Sequence, residues 1–266
     1  RLFAQAAATD IRIGQPQEII IELVSLASSV PEGALQAEVD VMVTTSDGAP
    51  TDVDCSVDYA TFNGTAFAGE DYVHASWNLY FPSGTASSTA QVIQVDLIGD
   101  TLDEADEDFL VELYNPMGAV LVPPTVHTVT ILDDDPPPGL SAADIQVDEG
   151  VGLAVVQLEL SAPTAFEVTV AYGTVDGSAM APGDFIHVGG TASIPPLDTL
   201  FLVEIPVEDD WLEEGAETFT LELWSPSNVV LMTAEVTVTI YDNDAGILFA
   251  DGFESEDSTA WSSTMP

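Results

Sequence analysis

The sequence predicts an all-β chain folded as two tandem antiparallel β-sandwiches of about seven strands each. Three observations lead there. First, the chain repeats itself at an offset of about 110 residues: YATFNGTAFAGEDY (Tyr59–Tyr72) matches YGTVDGSAMAPGDF (Tyr172–Phe185), NPMG (Asn115–Gly118) matches SPSN (Ser225–Asn228), and HTVTILDDD (His127–Asp135) matches VTVTIYDND (Val236–Asp244). Blocks recurring in one order at a fixed period mark a tandem duplication. Second, apolar and polar residues alternate with a period of two, the mark of half-buried strands. Third, turn clusters such as SDGAP (Ser46–Pro50), FPSG (Phe81–Gly84) and APTA (Ala162–Ala165) punctuate these runs, and no convincing helical stretch interrupts them.

Taken in order, the first copy offers strands near residues 18–26, 35–45, 53–61, 76–81, 90–98, 108–114 and 125–132. Val53, Cys55, Val57 and Tyr59 alternate with Asp54, Ser56 and Asp58, which makes Cys55 a core filler rather than a nucleophile. The same alternation runs through Val168, Val170 and Tyr172, and again through Val236, Val238 and Ile240. Seven short strands at this spacing suggest an immunoglobulin-like sandwich. The expected boundaries are an N-terminal segment at 1–17, a first domain at 18–135, a proline-rich linker at 136–139, a second domain at 140–244 and a tail at 245–266. The linker reads PPPG (Pro136–Gly139) and acts as a semi-rigid spacer.

Charge narrows the function. Two basic residues, Arg1 and Arg12, face 46 Asp and Glu for a formal net charge of −44. Nucleic acid and anionic membranes both need a cationic surface, so neither is an expected partner of this chain. Divalent cations, or solubility in high salt, suit it better. No apolar run is long enough to cross a bilayer, and the single cysteine excludes an intrachain disulfide.

The acids are not spread evenly. LIGDTLDEADEDF (Leu97–Phe109) holds six carboxylates in thirteen residues, and PVEDDWLEEGAETF (Pro206–Phe219) is its counterpart. Carboxylates this close repel by roughly 1–3 kcal/mol per pair at surface-like dielectric. Because successive antiparallel strands reverse, the first–second, third–fourth and fifth–sixth connections share one end of a sandwich with the exit of strand seven. In the first copy those places hold Glu32, Asp71, then Asp100, Glu104 and Glu107, then Asp133, Asp134 and Asp135. In the second they hold Glu149, Asp184, then Asp209, Asp210, Glu214 and Glu217, then Asp242 and Asp244. Such a pole suits calcium, which takes six to eight oxygen ligands at about 2.3–2.6 Å. Zinc and copper would call for grouped His or Cys; none is present. Trp211, between Asp210 and Glu214, is expected to pack beneath its loop, and His127, standing where the repeat has Val236, reads as a sandwich-edge residue.

With these motifs assembled, both copies resemble Calx-beta domains, the calcium-binding repeats of sodium–calcium exchangers, an integrin cytoplasmic region and many bacterial surface proteins. The matching pieces are PEG (Pro31–Gly33) and DEG (Asp148–Gly150), the turns running into AGEDY and PGDF, the acidic loops, and the closing LDDD and YDND. The resemblance implies calcium ions as cofactor and the carboxylates named above as ligands. Gly99 stands where members can carry the first Asp of the loop, and Asn243 interrupts the closing acidic run.

Paired carboxylates can serve glycoside hydrolysis, but no apolar pocket sets one of these apart, and a cluster that tracks the repeat reads as structural. The chain is therefore expected to be a non-enzymatic calcium-rigidified adhesion or spacer module, with another protein or a surface glycan as partner. The opening RLFAQAAATD carries small residues of the kind seen at signal-peptidase sites. ILFADGFESEDSTAWSS (Ile247–Ser263) resembles a C-terminal motif of secreted proteins from some Gram-negative bacteria. Together they point to a secreted or cell-surface bacterial protein.

Overall fold

The computed structural model describes residues 16–244. The expected signal-peptide remnant falls almost wholly, and the C-terminal motif entirely, outside the described residues. The chain divides into two compact units between Pro136 and Pro137. Each is a sandwich of a four-stranded and a five-stranded sheet.

In the first unit the strands are β1 (Ile19–Leu23), β2 (Ala27–Pro31), β3 (Gln36–Thr45), β4 (Cys55–Asn63), β5 (Ser76–Phe81), β6 (Thr89–Asp96), β7 (Glu107–Met117), β8 (Val120–Leu121) and β9 (Val126–Leu132). The sheets run β6-β3-β1-β8 and β2-β9-β7-β4-β5. The second unit repeats the plan with β10 (Gly139–Ser141), β11 (Ile145–Asp148), β12 (Leu153–Leu160), β13 (Val168–Val175), β14 (Gly189–Ile194), β15 (Leu200–Pro206), β16 (Glu217–Ser227), β17 (Val230–Leu231) and β18 (Glu235–Tyr241). Its sheets run β15-β12-β10-β17 and β11-β18-β16-β13-β14. Pro138 and Gly139 already belong to this second sandwich, since the Pro138 carbonyl accepts from the Val230 amide and Gly139 opens β10.

The expected first strand, 18–26, corresponds to β1 alone, and β2 is a further strand that falls between the expected ones. β1 lies antiparallel to β3, whereas β2 crosses to the other sheet and lies parallel to β9, with Ala27 opposite Thr128 and Pro31 opposite Leu132. His127 explains part of the crossing. It is buried rather than an edge residue, and its Nδ1 meets the Ser25 carbonyl at 2.9 Å while Nε2 meets Ser28 Oγ at 2.8 Å. A valine at this position could make neither bond, and the second unit, with Val236, forms its parallel pair through β11 and β18 without them.

Each core is one apolar cluster between the two sheets. Alternation supplies it directly: β3 buries Ala37, Val39, Val41 and Val43, and β12 buries Ala154, Val156, Leu158 and Leu160. Cys55 lies in the first core, as its strand position predicts. Aromatic pairs close each core beneath the acidic loops. Tyr72 stacks on Phe109 with ring centroids 4.3 Å apart, and Phe185 stacks on Phe219 at 4.0 Å. These residues immediately flank the acidic segments, so the buried rings fix the bases of the loops above them. Two glycines let those loops lie flat: a Cβ at Gly64 would stand 2.4 Å from the Asp108 carbonyl oxygen, and one at Gly177 would stand 2.2 Å from that of Thr218.

Truncating one ring of a buried stack removes transfer free energy and leaves a cavity. Phe219→Ala should therefore destabilise the second unit by about 3–5 kcal/mol, read as a lower urea midpoint at unchanged slope in an otherwise native chain.

Candidate metal centre

Four segments bring carboxylates to one end of each sandwich. They are the turn after β2, the β4–β5 connection, the β6–β7 loop and the exit of β9, with the corresponding segments in the second unit. In the first unit the ligand-type oxygens of Glu32, Asp100 and Asp135 lie within 4.8 Å of one another, as do those of Asp71, Glu104 and Glu107. In the second the corresponding groups are Glu149, Asp242 and Asp244, and Asp184, Glu214 and Glu217. Each pole also holds a cleft of about 10 Å3. Glu32, Asp71, Glu104, Glu107 and Asp133 line the first, and Glu149, Asp184, Glu214, Glu217 and Asp242 the second.

The loops are held by the carboxylates' own hydrogen bonds, repeated almost bond for bond. Asp71 Oδ2 accepts from the Phe67 amide and Asp184 Oδ2 from the Met180 amide, both at 2.6 Å. Glu32 Oε1 accepts from the Asp100 amide at 2.6 Å, and Glu149 Oε1 from the Asp210 amide at 3.1 Å. Asp100 and Asp210 each turn an Oδ1 back to the amide two residues on, at Leu102 and Leu212. One oxygen of each side chain thus orders a loop, which leaves the other free to face its neighbours.

Not every expected ligand joins a cluster. Asp134 and Asp209 stand exposed at the outer margin: Asp134 Oδ2 accepts from the Gly33 amide at 3.3 Å, and Asp209 Oδ1 from Asn243 Nδ2 at 3.2 Å. Asp210 is exposed and caps its own loop, although its counterpart Asp100 belongs to a triplet. The glycine after each glutamate has a geometric cause. A Cβ on Gly33 would come 2.9 Å from Asp134 Oδ2, and one on Gly150 would come 2.6 Å from Asn243 Nδ2.

Two residues outside the expected set matter locally. Asp106 Oδ1 accepts from the Asp133 amide at 3.1 Å and so positions the first closing acid. Asp108 keeps a buried Oδ1 without a hydrogen bond. Both lie in the LDEADEDF run, but which acids of such a run turn inward depends on the loop's path. Trp211 corrects an expectation: it does not pack beneath the loop but stands 90% exposed at the apex of the turn that Asp210 caps. The equivalent position in the first unit is Thr101.

Burial and mutual repulsion disfavour ionisation across both poles. Burial pushes Glu107 up to about 7, helped by its hydrogen bond to Asp71 and by the charges of Asp71, Glu104 and Glu32. Burial also raises Glu217, together with the charge of Asp184 and a hydrogen bond to it. Glu32 and Glu149 are raised by burial, against the opposing effect of the Asp100 and Asp210 amides. A metal fits this donor set. Asp133 Oδ1, Asp135 Oδ2 and Asp244 Oδ2 are buried with no hydrogen-bond partner among the described residues, a costly state for an anionic oxygen unless a cation meets it. The donors are all carboxylate oxygens, which suits a hard divalent ion.

A raised acid pKa means that the folded state binds more protons than the unfolded chain, so stability falls as pH rises through that interval. For Glu107 the interval runs from its ordinary value of 4.5 to about 7. Chelator-treated protein should therefore melt at a higher temperature at pH 5.5 than at pH 7.5 (both about mid- or above-interval). Glu107→Gln should shrink that difference in thermal melts at matched ionic strength.

Comparison with known proteins places this arrangement. The Calx-beta domain family matches residues 15–135 and again 138–244. Sodium/calcium exchanger 2 of Rattus norvegicus is 32% identical over 190 residues, covering 64% of this chain and 20% of the exchanger. Sodium/calcium exchanger 3 of Mus musculus is 30% identical over 224 residues, covering 71% of this chain and 24% of its own length. The chain thus spans about a fifth to a quarter of the curated relatives it matches. Among solved structures, CBD12 from CALX1.2 is 26% identical, with a TM-score of 0.40 over 78% of this chain and 80% of that one. The apo-form Calx CBD1 domain is 34% identical, with a TM-score of 0.40 over 44% of this chain and 99% of its own. Two family matches that together cover most of the sequence, each ending on a closing acidic strand, show that this chain belongs to the Calx-beta family.

Proposed function

We propose that the chain is a calcium-binding structural module in which each sandwich takes calcium at its acidic pole, and that the protein acts outside the cell as an adhesive or spacer unit. The observation that carries the calcium reading is the set of buried carboxylate oxygens on Asp133, Asp135 and Asp244 that no protein donor meets. Family membership supports it. In the first unit Glu32, Asp100, Asp133 and Asp135 would hold ions on one side of the cleft, and Asp71, Glu104 and Glu107 on the other. In the second unit Glu149, Asp242 and Asp244 face Asp184, Glu214 and Glu217 in the same way. Asp134, Asp209 and Asp210 contribute at the margin, by ordering loops and by charge. Bound calcium would supply the positive charge and the oxygen coordination that these groups lack.

Segments remote in sequence carry like charges to one place, so the free pole works against its own closure. With charge neutralised, the turn after β2, the β4–β5 connection, the β6–β7 loop and the end of β9 are drawn together. The gain is local stiffness in each sandwich, which suits a load-bearing module better than a catalyst. The secreted bacterial setting rests on the wording of Ile247–Ser263 and on the strongly acidic composition.

Isothermal titration of chelator-stripped protein should show saturable calcium binding, with magnesium much weaker. At free calcium about 100 times the dissociation constant, each site adds about 2.7 kcal/mol of stability, seen as a higher melting temperature than in chelator. Superimposable melts would reduce the poles to solvated charge. Asp135→Asn and Glu104→Gln should each weaken binding in the first unit at least tenfold while leaving the chelated protein as stable as before, or more so, because each relieves repulsion. A large loss of stability in chelator would instead mark that residue as a fold contact.

A further inference from the structure

The outer face of the four-stranded sheet differs between the two units at one end. In the first unit that end is polar and internally bonded, Gln36 Nε2 donating to Asp96 Oδ1 at 2.7 Å and Gln94 Nε2 to Glu38 Oε1 at 3.2 Å across β3 and β6, while further along Val92 and Ala90 stand opposite Asp40 and Met42. The buried alternation aligns Ala37 with Ala154 and Val95 with Ile205. The corresponding cross-strand pairs in the second unit are therefore Leu153 with Pro206 and Val155 with Glu204. Further along the same face stand Leu200 and Leu202, 48% and 45% exposed, beside Leu153 at 45% and Val155 at 39%. An apolar face on a chain of net charge −44 is out of character, and contiguous exposed apolar surface of this kind marks an interaction site.

The backbone beside it is also unsatisfied. Among the described residues β15 is the edge of its sheet, hydrogen-bonded as a strand to β12 alone. The Leu160 amide donates to the Thr199 carbonyl, and the Val207 amide to the Gly152 carbonyl. The odd-numbered residues of β15 therefore face β12, and Leu200, Leu202 and Glu204 direct their amides and carbonyls to the open side. The next residue on that side, Pro206, is already engaged, since its carbonyl accepts from the Ile186 amide. What stays open is a short ladder whose outer side chains read apolar, apolar, acidic.

We infer that β15 is a docking edge for an extended segment of another protein, which adds as a fifth strand to this sheet. The ladder specifies a strand, because main-chain groups supply the contact, and alternate side chains supply the selectivity. Leu200 and Leu202 call for two apolar side chains on the partner's matching face. Glu204, with Glu159 opposite Leu200 on the neighbouring strand, calls for Lys or Arg beside them. Charge complementarity selects the partner: a second copy of this chain would bring the same acidic face and a net charge of −44, whereas a basic amphipathic strand is attracted. None of the pole carboxylates takes part, so this inference stands apart from the calcium reading.

The test uses the full chain and the capped peptide Lys-Thr-Val-Thr-Val-Thr-Lys, which presents Lys-Val-Val-Lys on one face in either direction. Its fully N-methylated counterpart keeps the charge and side chains but cannot form the ladder. The parent peptide should bind, in calcium and in chelator alike, and slow amide exchange at Leu200, Leu202 and Glu204. The N-methylated peptide should bind at least tenfold more weakly. The double variant Leu200→Gln/Leu202→Gln, at exposed positions that leave the core intact, should lose at least tenfold in affinity with its melting curve retained. Val92→Gln on the equivalent edge of the first unit should change nothing. Equal binding of the N-methylated peptide would overturn the proposal as plain charge attraction, and no binding, or unchanged affinity in the double variant, would overturn it too. Dimers of the free chain that dissociate in the double variant would overturn it in favour of self-pairing.

Discussion

Repulsion between carboxylates governs the acidic pole of each sandwich. At both poles, acids from four separate segments are packed within a few ångströms, partly shielded from water, with no Lys or Arg among the described residues to meet them. The fold accommodates this partly because about half of these acids commit an oxygen to a backbone amide of their own or a neighbouring loop. Glu32 holds Asp100, Glu149 holds Asp210, and Asp71 and Asp184 hold the turns behind them. Beside them, Asp133, Asp135 and Asp244 each keep a buried oxygen that no donor among the described residues meets, a state that suits a cation.

The rest of the structure serves that arrangement. Stacked rings, Tyr72 on Phe109 and Phe185 on Phe219, anchor the strands at the point where each acidic loop leaves the core. The glycines at Gly33 and Gly150 clear space for Asp134 and Asn243, and Gly64 and Gly177 let loop backbones pass in contact. Close packing and hydrogen bonds to backbone amides thus fix parts of each loop within the protein itself.

The two copies have kept the pole and diverged elsewhere. Three hydrogen bonds that order the acidic loops recur in both units, whereas the outer faces of the four-stranded sheets differ. Near the acidic pole the first carries amide–carboxylate pairs where the second carries leucine and valine. Duplication followed by divergence on a face that calcium does not touch is a route by which one copy keeps a structural role and the other gains a contact.

Much of this was legible in the sequence, because the repeat, the period-two alternation and the topology of a seven-stranded sandwich depend on local pattern and on strand reversal alone. Those are enough to place Glu32, Asp71, Glu104 and Asp135 at one pole from positions scattered over a hundred residues. Tertiary structure decided what local pattern cannot encode. β2, which no expected strand covers, forms because residues 27–31 find a partner in β9, with His127 buried between Ser25 and Ser28, a contact across about a hundred residues. The acids sort into clustered and marginal because side-chain direction in a loop is set by the path of its backbone, so Asp135 turns in while Asp134 turns out. Trp211 faces solvent for the same reason, since Asp210 caps the turn that lifts it. Alternation announces which residues leave the core; whether a neighbouring strand or open solvent awaits them, as at Leu200 and Leu202, is decided by the order of strands in the sheet.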